Sequence, residues 1–287
     1  MLKQRIITAL VLLALLLPAL WADSPEPFAF LTLIMISAGA WEWARMNACS
    51  PLQSGLSGVL ALLLCAGLWH GELLTQSLAV TWLITGALWV MVGAWMLARG
   101  VPGWSQWPKT WRWLGGMAAL CLAWLALAQA RWIGPNFLLS VMVLVWAADV
   151  FAYFAGRALG GRWVKTRLAP TLSPGKTWEG VAGGMLGVLC ISTAWIQADA
   201  HFGWTVTSLH TRLWQQGWWF WLAALVFLTA MSVVGDLIES LIKRSAGFKD
   251  SSGLLPGHGG VLDRVDALLP ILPLAMMLTN WIPLQTF

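Results

Sequence analysis

Two short segments of this chain have residue types and spacings suited to chemistry on phosphate groups. In the second segment, 236–266, two pairs of carboxylates lie three residues apart, Asp236 with Glu239 and Asp263 with Asp266. Residues three apart share a helical face, and carboxylates are the hard oxygen ligands that Mg²⁺ requires. Basic residues and glycines are interleaved with these carboxylates: Lys243, Arg244, Lys249, Arg264, Gly257, Gly259 and Gly260.

The basic side chains of this segment would neutralise phosphate oxygens, and its glycines would let backbone N–H groups approach an anion closely. His258 lies within the glycine run with no second histidine nearby, which favours a hydrogen bond to phosphate over metal ligation. The combination indicates metal-assisted nucleotide chemistry. Charge content alone is explained equally well by a solvated loop with salt bridges at a membrane surface.

The first segment, 149–180, begins within an apolar run. Asp149, Tyr153 and Arg157 are spaced four apart in it and would share one face of a helix. Ionisable groups at membrane depth are costly to bury, so they are candidates for function. Asp149 and Asp236 both meet this description.

The end of this segment contains Gly175-Lys176-Thr177, which resembles the end of a P-loop. Pro170 occupies the position of the first P-loop glycine, and no βαβ unit fits among the apolar runs. We therefore reject a P-loop and expect Ser173 and Lys176 to contact phosphate without it. For Lys176 alone, a lysine that marks the cytoplasmic side is an equal alternative.

The rest of the chain is strongly apolar. Of its 287 residues, 59% are hydrophobic and 10% charged, against about 25% charged in soluble proteins. In lipid the backbone must satisfy its own hydrogen bonds, so apolar runs of about 20 residues indicate spanning helices. We predict an all-α polytopic bundle, a single integral membrane domain over 1–287. Its nine expected spans are 5–22, 28–48, 56–74, 77–98, 112–130, 136–155, 177–196, 217–241 and 266–284.

The distribution of Lys and Arg predicts the orientation of these spans. With a cytoplasmic N-terminus, 15 of the 17 basic residues fall on the inner side, and only Arg131 and Arg212 fall outside. Both polar segments then face the cytoplasm. Leu20 stands where a cleaved signal would need a small residue, so we expect the first span to remain as an anchor.

Two further charged residues, Glu42 and Arg45, lie three apart near the inner end of the second span. For this pair we favour a structural ion pair over a functional role. The four cysteines have no metal-ligand spacing and no readable disulfide pattern, so we expect small buried hydrophobic residues.

The second segment resembles the signature of the phosphatidate cytidylyltransferases, also called CDP-diacylglycerol synthases. That signature combines S-x-hydrophobic-K-R, K-D, x-H-G-G and D-R-x-D at fixed spacings, and every specified position is met between Ser240 and Asp266. The first segment is similar to the same family in Ala-Tyr-Phe-x-Gly-Arg and Ser-Pro-x-Lys-Thr-x-Glu-Gly. One departure is Val150, where the family usually has Ser or Thr, so this chain lacks at most one hydroxyl contact of the family.

The resemblance implies a reaction in which CTP and phosphatidate give CDP-diacylglycerol and pyrophosphate, with Mg²⁺ and K⁺ as cations. The implied metal ligands are Asp236 and Asp263. The implied catalytic residues are Asp263, Lys243, Arg264 and Asp266. The implied substrate-binding residues are Ser173, Lys176, Arg244, Lys249, Asp250, His258, Gly259 and Gly260.

The resemblance also implies a multi-pass protein of a bacterial inner membrane, with membrane lipids around it and no nucleic-acid partner. A homodimer is one expectation for its assembly. Two other functions compete. A CDP-alcohol phosphotransferase would need D-G-x-x-A-R and G-x-x-x-D-x-x-x-D, which are absent from the sequence. An ion-coupled transporter would use Asp149 and Asp236 as a coupling pair and predicts internal repeats, of which we find none.

Overall fold

The structure is a computed structural model that describes residues 2–280. These residues form helices joined by mostly short loops, with two longer loops at 160–177 and 247–261, and no β-strand occurs among them. The helices in chain order are α1 (Leu2–Leu20), α2 (Glu26–Met46), α3 (Pro51–His70), α4 (Ala79–Gln106), α5 (Lys109–Ile133), α6 (Pro135–Leu159), α7 (Trp178–Phe202), α8 (Leu209–Gln215), α9 (Trp218–Ala246), α10 (Leu262–Val265) and α11 (Leu268–Asn280).

The prediction of an all-α polytopic membrane bundle is confirmed. Within residues 2–280, seven helices are long and apolar enough to cross a membrane, namely α2 to α7 and α9. The apolar part of α1, Gln4–Leu20, is shorter, and the predicted ninth span, 266–284, continues past the described residues. The count of nine spans and the cytoplasmic N-terminus therefore stay predictions.

Helix α4 extends beyond the predicted span 77–98 because it contains a kink. Gly100 has φ 61° and ψ −163°, which no helix adopts, and Pro102 follows it. The short helical segment after the kink packs Trp104 against Trp43 of α2, with 6.2 Å between ring centroids. The kink therefore folds the end of α4 over the end of α2.

Helices α6 and α7 approach each other closely through small residues. A Cβ at Gly184 would lie 2.8 Å from the carbonyl oxygen of Ala148, and one at Gly180 would lie 3.0 Å from that of Ala152. Small residues permit such backbone approach between membrane helices. Thr177 caps the start of α7 by accepting a hydrogen bond from the N–H of Gly180. The polar ends of both helices are thereby held together.

Helix α9 makes an equally close contact with the chain that enters α11. A Cβ at Gly235 would lie 2.8 Å from the carbonyl oxygen of Asp266 and 2.8 Å from the ring of Pro270. Asp266 is thus fixed beside the turn of α9 that carries Asp236. The ends of α2, α6 and α9 and the starts of α7 and α11 gather at this end of the bundle.

The opposite end of the bundle has a polar cluster of its own, around Asp199 near the end of α7. Its buried carboxylate accepts four hydrogen bonds, from Asn136 Nδ2, from the N–H and Oγ of Ser208 and from Thr211 Oγ1. This cluster fastens α8 to α6 and α7. Since these helices run the length of the bundle, it is remote from the two polar segments.

Candidate active site

The two polar segments meet in space. Lys176, in the loop before α7, lies 2.5 Å from Asp236 of α9, measured from Nζ to Oδ2. Asp236 also lies within 3.4 Å of the hydroxyl of Ser240, one helical turn further along α9. An ion pair across sixty residues of sequence therefore joins the halves of the candidate site.

A cavity of about 660 Å³ lies between α6, α7 and α9 at this junction. Asp149, Tyr153 and Arg157 all line it, which confirms that the spacing of four places them on one face. Arg157 Nη1 donates to the Tyr153 hydroxyl at 3.0 Å. Other lining residues are polar near the loop and mostly apolar within the bundle. The former include Arg167, Lys176, Thr177 and Asp236, and the latter include Val181, Gly184, Thr229 and Val233. Such a cavity suits a substrate with a charged head and an apolar body.

The loop between α6 and α7 is held in shape by Glu179. Its Oε1 accepts three backbone hydrogen bonds, from Gly161, Trp163 and Val164, at 2.9 to 3.1 Å. Ser173 forms a tight turn, donating its N–H to the Ala169 carbonyl. Glu179 belongs to the Ser-Pro-x-Lys-Thr-x-Glu-Gly motif, but no role could be predicted for it from the sequence. Backbone donors fifteen or more residues earlier carry no sequence signal.

Replacement of Glu179 by glutamine should loosen this loop without unfolding the bundle. A glutamine can still offer one oxygen to the three N–H donors, but that oxygen is uncharged, so three charge-assisted hydrogen bonds weaken. We expect amide hydrogen exchange at residues 161–164 to accelerate about tenfold or more, as measured by mass spectrometry. Glu26→Gln, an exposed glutamate at the other end of the bundle, is the control. Equal exchange at residues 161–164 in both variants would contradict this role.

The second polar segment centres on Lys243 near the end of α9. Its Nζ lies 2.6 Å from Glu239 Oε2 and 2.6 Å from Asp263 Oδ1. The three side chains are largely buried, with exposed fractions of 15%, 9% and 5% for Lys243, Glu239 and Asp263. Although Asp236 and Glu239 are three residues apart, Asp236 therefore meets Lys176, whereas Glu239 meets Lys243.

Both oxygens of Asp263 accept hydrogen bonds from the protein. Oδ1 faces Lys243, and Oδ2 accepts the N–H and Oγ of Ser251 and the N–H of Gly260, each at 2.8 Å. Burial would raise the pKa of Asp263, but the bonds from Lys243 and Gly260 outweigh it and lower the pKa to about 2. Asp263 is therefore an ionised carboxylate around which the loop is built.

The glycine run makes a tight turn within this loop. Gly257 and Gly259 have φ of 78° and 82°, and the N–H of Leu255 donates to the Gly259 carbonyl. The N–H of His258 donates to the Leu255 carbonyl at 2.8 Å. The backbone N–H of Gly260 approaches an anion closely, as expected of this glycine run, but the anion is the carboxylate of Asp263. Contacts of Gly259, Gly260 and His258 with substrate stay predictions.

Glu42, on α2, is the main residue of this site that the sequence interpretation misassigned. The expected ion pair with Arg45 is wrong: among the described residues Glu42 has no basic partner within 4 Å, and it bonds instead to the loop before α10. Arg45 lies over the rings of Trp41 and Phe248, at 4.6 and 5.9 Å. Spacing of three along a helix indicates proximity, but the tertiary partners decide which way each side chain turns.

The remaining predicted residues divide by exposure. Arg244, Lys249, Asp250 and Arg264 are exposed around the loop, and Asp266 is partly buried. Of the predicted site residues, Lys176 and Asp236 line the cavity, while Lys243 and Asp263 form the ion-pair cluster beside it. Exposed basic side chains at the rim are free to meet an incoming anion.

The donor set can be tested for a magnesium ion. Within residues 2–280, no three Asp, Glu, His or Cys side chains converge on one metal position. Mg²⁺ is commonly held by one or two carboxylates with water and substrate phosphates, so a larger cage is not needed. Asp149 and Asp236 line the same cavity, and Asp266 lies within electrostatic reach of both. Lys176 pairs with Asp236, Lys243 acts on Asp266, and two arginines also line the cavity. The fit to a divalent cation therefore rests on the hard carboxylate oxygens of Asp149 and Asp236 rather than on a net negative charge.

Comparison with known proteins covers both segments. The chain matches the Cytidylyltransferase family over residues 3–282. It is 40% identical over 278 residues to a phosphatidate cytidylyltransferase of Pseudomonas aeruginosa, with 95% of each chain covered. It is 33% identical over 292 residues to one of Haemophilus influenzae, with 95% of this chain and 96% of the relative covered. A relative of the same name from Staphylococcus saprophyticus is 29% identical over 290 residues.

The match includes the helices that bring the segments together as well as the signature, so it confirms the resemblance over the whole bundle. This chain is a multi-pass membrane protein that belongs to the cytidylyltransferase family.

Proposed function

We propose that this chain transfers the cytidylyl group of CTP to phosphatidate, giving CDP-diacylglycerol and pyrophosphate. The family match and the names of the relatives support this activity. The structural observation that carries it is the cavity at the Lys176–Asp236 contact, polar at one end and apolar within the bundle. A lipid phosphate with a diacyl body suits that gradient.

The chemistry needs no protein nucleophile, because the lipid phosphate is already anionic. Its oxygen attacks the α-phosphorus of CTP, and the bond from that phosphorus to the β-phosphate oxygen breaks as pyrophosphate leaves. The protein must hold the two phosphates in line and offset their mutual repulsion. We assign this role to Lys176, which lines the cavity, and to Arg157, which lines it too and donates to the Tyr153 hydroxyl.

We assign the cation to Asp236, with Asp149 and Asp266 near it. Mg²⁺, when bound, would neutralise charge on the CTP phosphates. Asp263 is also proposed as a ligand, and in that role its Oδ1 would leave Lys243, freeing that ammonium for a phosphate oxygen. A potassium ion as the second cation is part of the same proposal.

The exposed side chains complete the proposed site. Arg244, Lys249 and Arg264 draw CTP to the loop, with His258, Gly259 and Gly260 as donors to phosphate and Asp250 as a further substrate contact. We also assign a phosphate contact to Ser173, which lies at the turn before Lys176. The site faces the cytoplasm of a bacterial inner membrane in this proposal, where CTP is present, and the assembly is a homodimer.

The activity is tested with the purified chain in mixed micelles of detergent and phosphatidate. CTP labelled at the α-phosphate should give labelled lipid, whereas CTP labelled at the γ-phosphate should give labelled pyrophosphate only. Both products should require Mg²⁺. Absence of labelled lipid with phosphatidate and Mg²⁺ supplied would overturn the proposal, as would transfer of the γ-label to lipid.

A further inference from the structure

The carboxylate of Glu42 lies under the loop that carries the second polar segment. Glu42 is fully buried, with an exposed fraction of 0%. It is near the end of α2, more than two hundred residues before the loop in sequence. A buried carboxylate must be compensated by hydrogen bonds or counter-charges, and the loop supplies the compensation.

Four polar groups of the loop surround this carboxylate, and one of them, the Ser251 hydroxyl, shares its single hydrogen between Glu42 and Asp263. At one end of the loop, the hydroxyls of Ser251 and Ser252 lie 3.2 and 2.5 Å from it. At the other end, the N–H groups of Val261 and Leu262 donate at 2.9 and 2.8 Å. One side chain on α2 therefore fastens both ends of the 251–262 loop.

The same contacts lead directly to Asp263. The Ser251 hydroxyl lies between the two carboxylates, 2.8 Å from Asp263 and 3.2 Å from Glu42. Gly260, which donates its N–H to Asp263, packs so closely that a Cβ would collide with the Glu42 carboxylate and the Ser251 hydroxyl. The position of Asp263, and of Lys243 paired with it, thus depends on where Glu42 holds the loop.

We propose that Glu42 is a positioning residue of the active site. Its hydrogen bonds from α2 to the 251–262 loop fix the positions of Asp263 and Lys243. The loop contact stands on the geometry alone, whereas its effect on catalysis rests on the proposed function. The role requires a carboxylate, because the N–H groups of Val261 and Leu262 donate to its two different oxygens. A glutamine would present its N–H₂ group to one of these backbone donors.

Asp199 is the matched control for a buried carboxylate whose role is structural only. Asp199 also accepts four hydrogen bonds while buried, but at the opposite end of the bundle. Asp199→Asn should therefore cost stability in the same way as Glu42→Gln. Only Glu42→Gln should change the loop at residues 251–262.

The test compares these two variants with the unmodified chain by limited trypsin digestion and by magnesium titration of turnover. The loop contains no Lys or Arg, but the exposed Lys249 and Arg264 flank it, so cleavage at these two residues reports release of the loop ends. In Glu42→Gln we expect cleavage at these sites to accelerate about tenfold, with an increase of similar size in half-saturating Mg²⁺. Asp199→Asn should leave both readouts within about twofold of the unmodified chain.

Unchanged cleavage and magnesium dependence in Glu42→Gln would overturn the proposal, and so would equal changes in Asp199→Asn. If Glu42→Gln does not fold, Ser252→Ala removes one hydrogen bond to Glu42 and should still accelerate cleavage. Unchanged cleavage in Ser252→Ala would contradict the proposal that Glu42 holds the loop. If the unmodified chain makes no labelled lipid, the proposed function fails, and trypsin digestion still decides whether Glu42 holds the loop.

Discussion

Replacement of Asp236 by asparagine is expected to lower turnover of CTP about a thousandfold. Asp236 lines the cavity, pairs with Lys176 at 2.5 Å and is the carboxylate to which we assign the cation. A bound metal contributes several kcal/mol of charge stabilisation, and about 1.4 kcal/mol corresponds to a tenfold change in rate. The measurement is lipid labelling from α-labelled CTP at saturating Mg²⁺.

Asp199→Asn is the control for the removal of a buried carboxylate, and its folded fraction should keep near-normal turnover. A variant Asp236→Asn with near-normal turnover and unchanged magnesium dependence would remove Asp236 from the metal site. The double variant Asp236→Asn/Lys176→Met refines the result. If Lys176 acts only as the partner of Asp236, the double variant should be no slower than Asp236→Asn, whereas a separate phosphate contact predicts a further loss.

Replacement of Lys243 by methionine is expected to destabilise the chain by about 3–5 kcal/mol, because it leaves two buried carboxylates without their shared counter-charge. Those carboxylates, Glu239 and Asp263, each lie 2.6 Å from the Lys243 ammonium. The free energy of unfolding in mixed micelles, from a denaturant titration, measures the loss. Arg244→Met, at the exposed neighbour, should shift it by about 0.5 kcal/mol or less.

A second substitution separates stability from catalysis at this cluster. Adding Glu239→Gln to Lys243→Met removes one of the two uncompensated charges, so part of the lost stability should return. Turnover should stay low in this double variant, because the Lys243 ammonium proposed to meet a phosphate oxygen is still missing. Lys243→Met with the stability of Arg244→Met would contradict the buried ion-pair cluster.

Local interactions of the site follow from the sequence. The spacing of Asp149, Tyr153 and Arg157 predicted a common helical face, and all three line the cavity. The apolar runs predicted helices and a polytopic bundle, because lipid leaves the backbone no other way to satisfy its hydrogen bonds. The signature between Ser240 and Asp266 pointed to the family, since it fixes residue types at fixed separations.

Contacts between distant segments were not readable in this way. Glu42 and Arg45 are close in sequence, yet Glu42 binds a loop more than two hundred residues later. Backbone N–H groups provide half of its partners, and every residue type except proline carries one, so no residue type marks them. Likewise, Asp236 pairs with Lys176 and Glu239 pairs with Lys243 because of the way in which α7 and α10 pack against α9.

The sequence by itself therefore determined the class of protein and the shared face of Asp149, Tyr153 and Arg157 on α6. The residues it offers for phosphate chemistry stay predictions. The tertiary structure alone decided that Lys176 meets Asp236 across the cavity, and that Glu42 and Asp263 share the loop between them. The physical reason is the separation along the chain over which each interaction acts. Helical spacing and burial in lipid act over a few residues, whereas ion pairs and hydrogen bonds between segments exist only after the helices have packed.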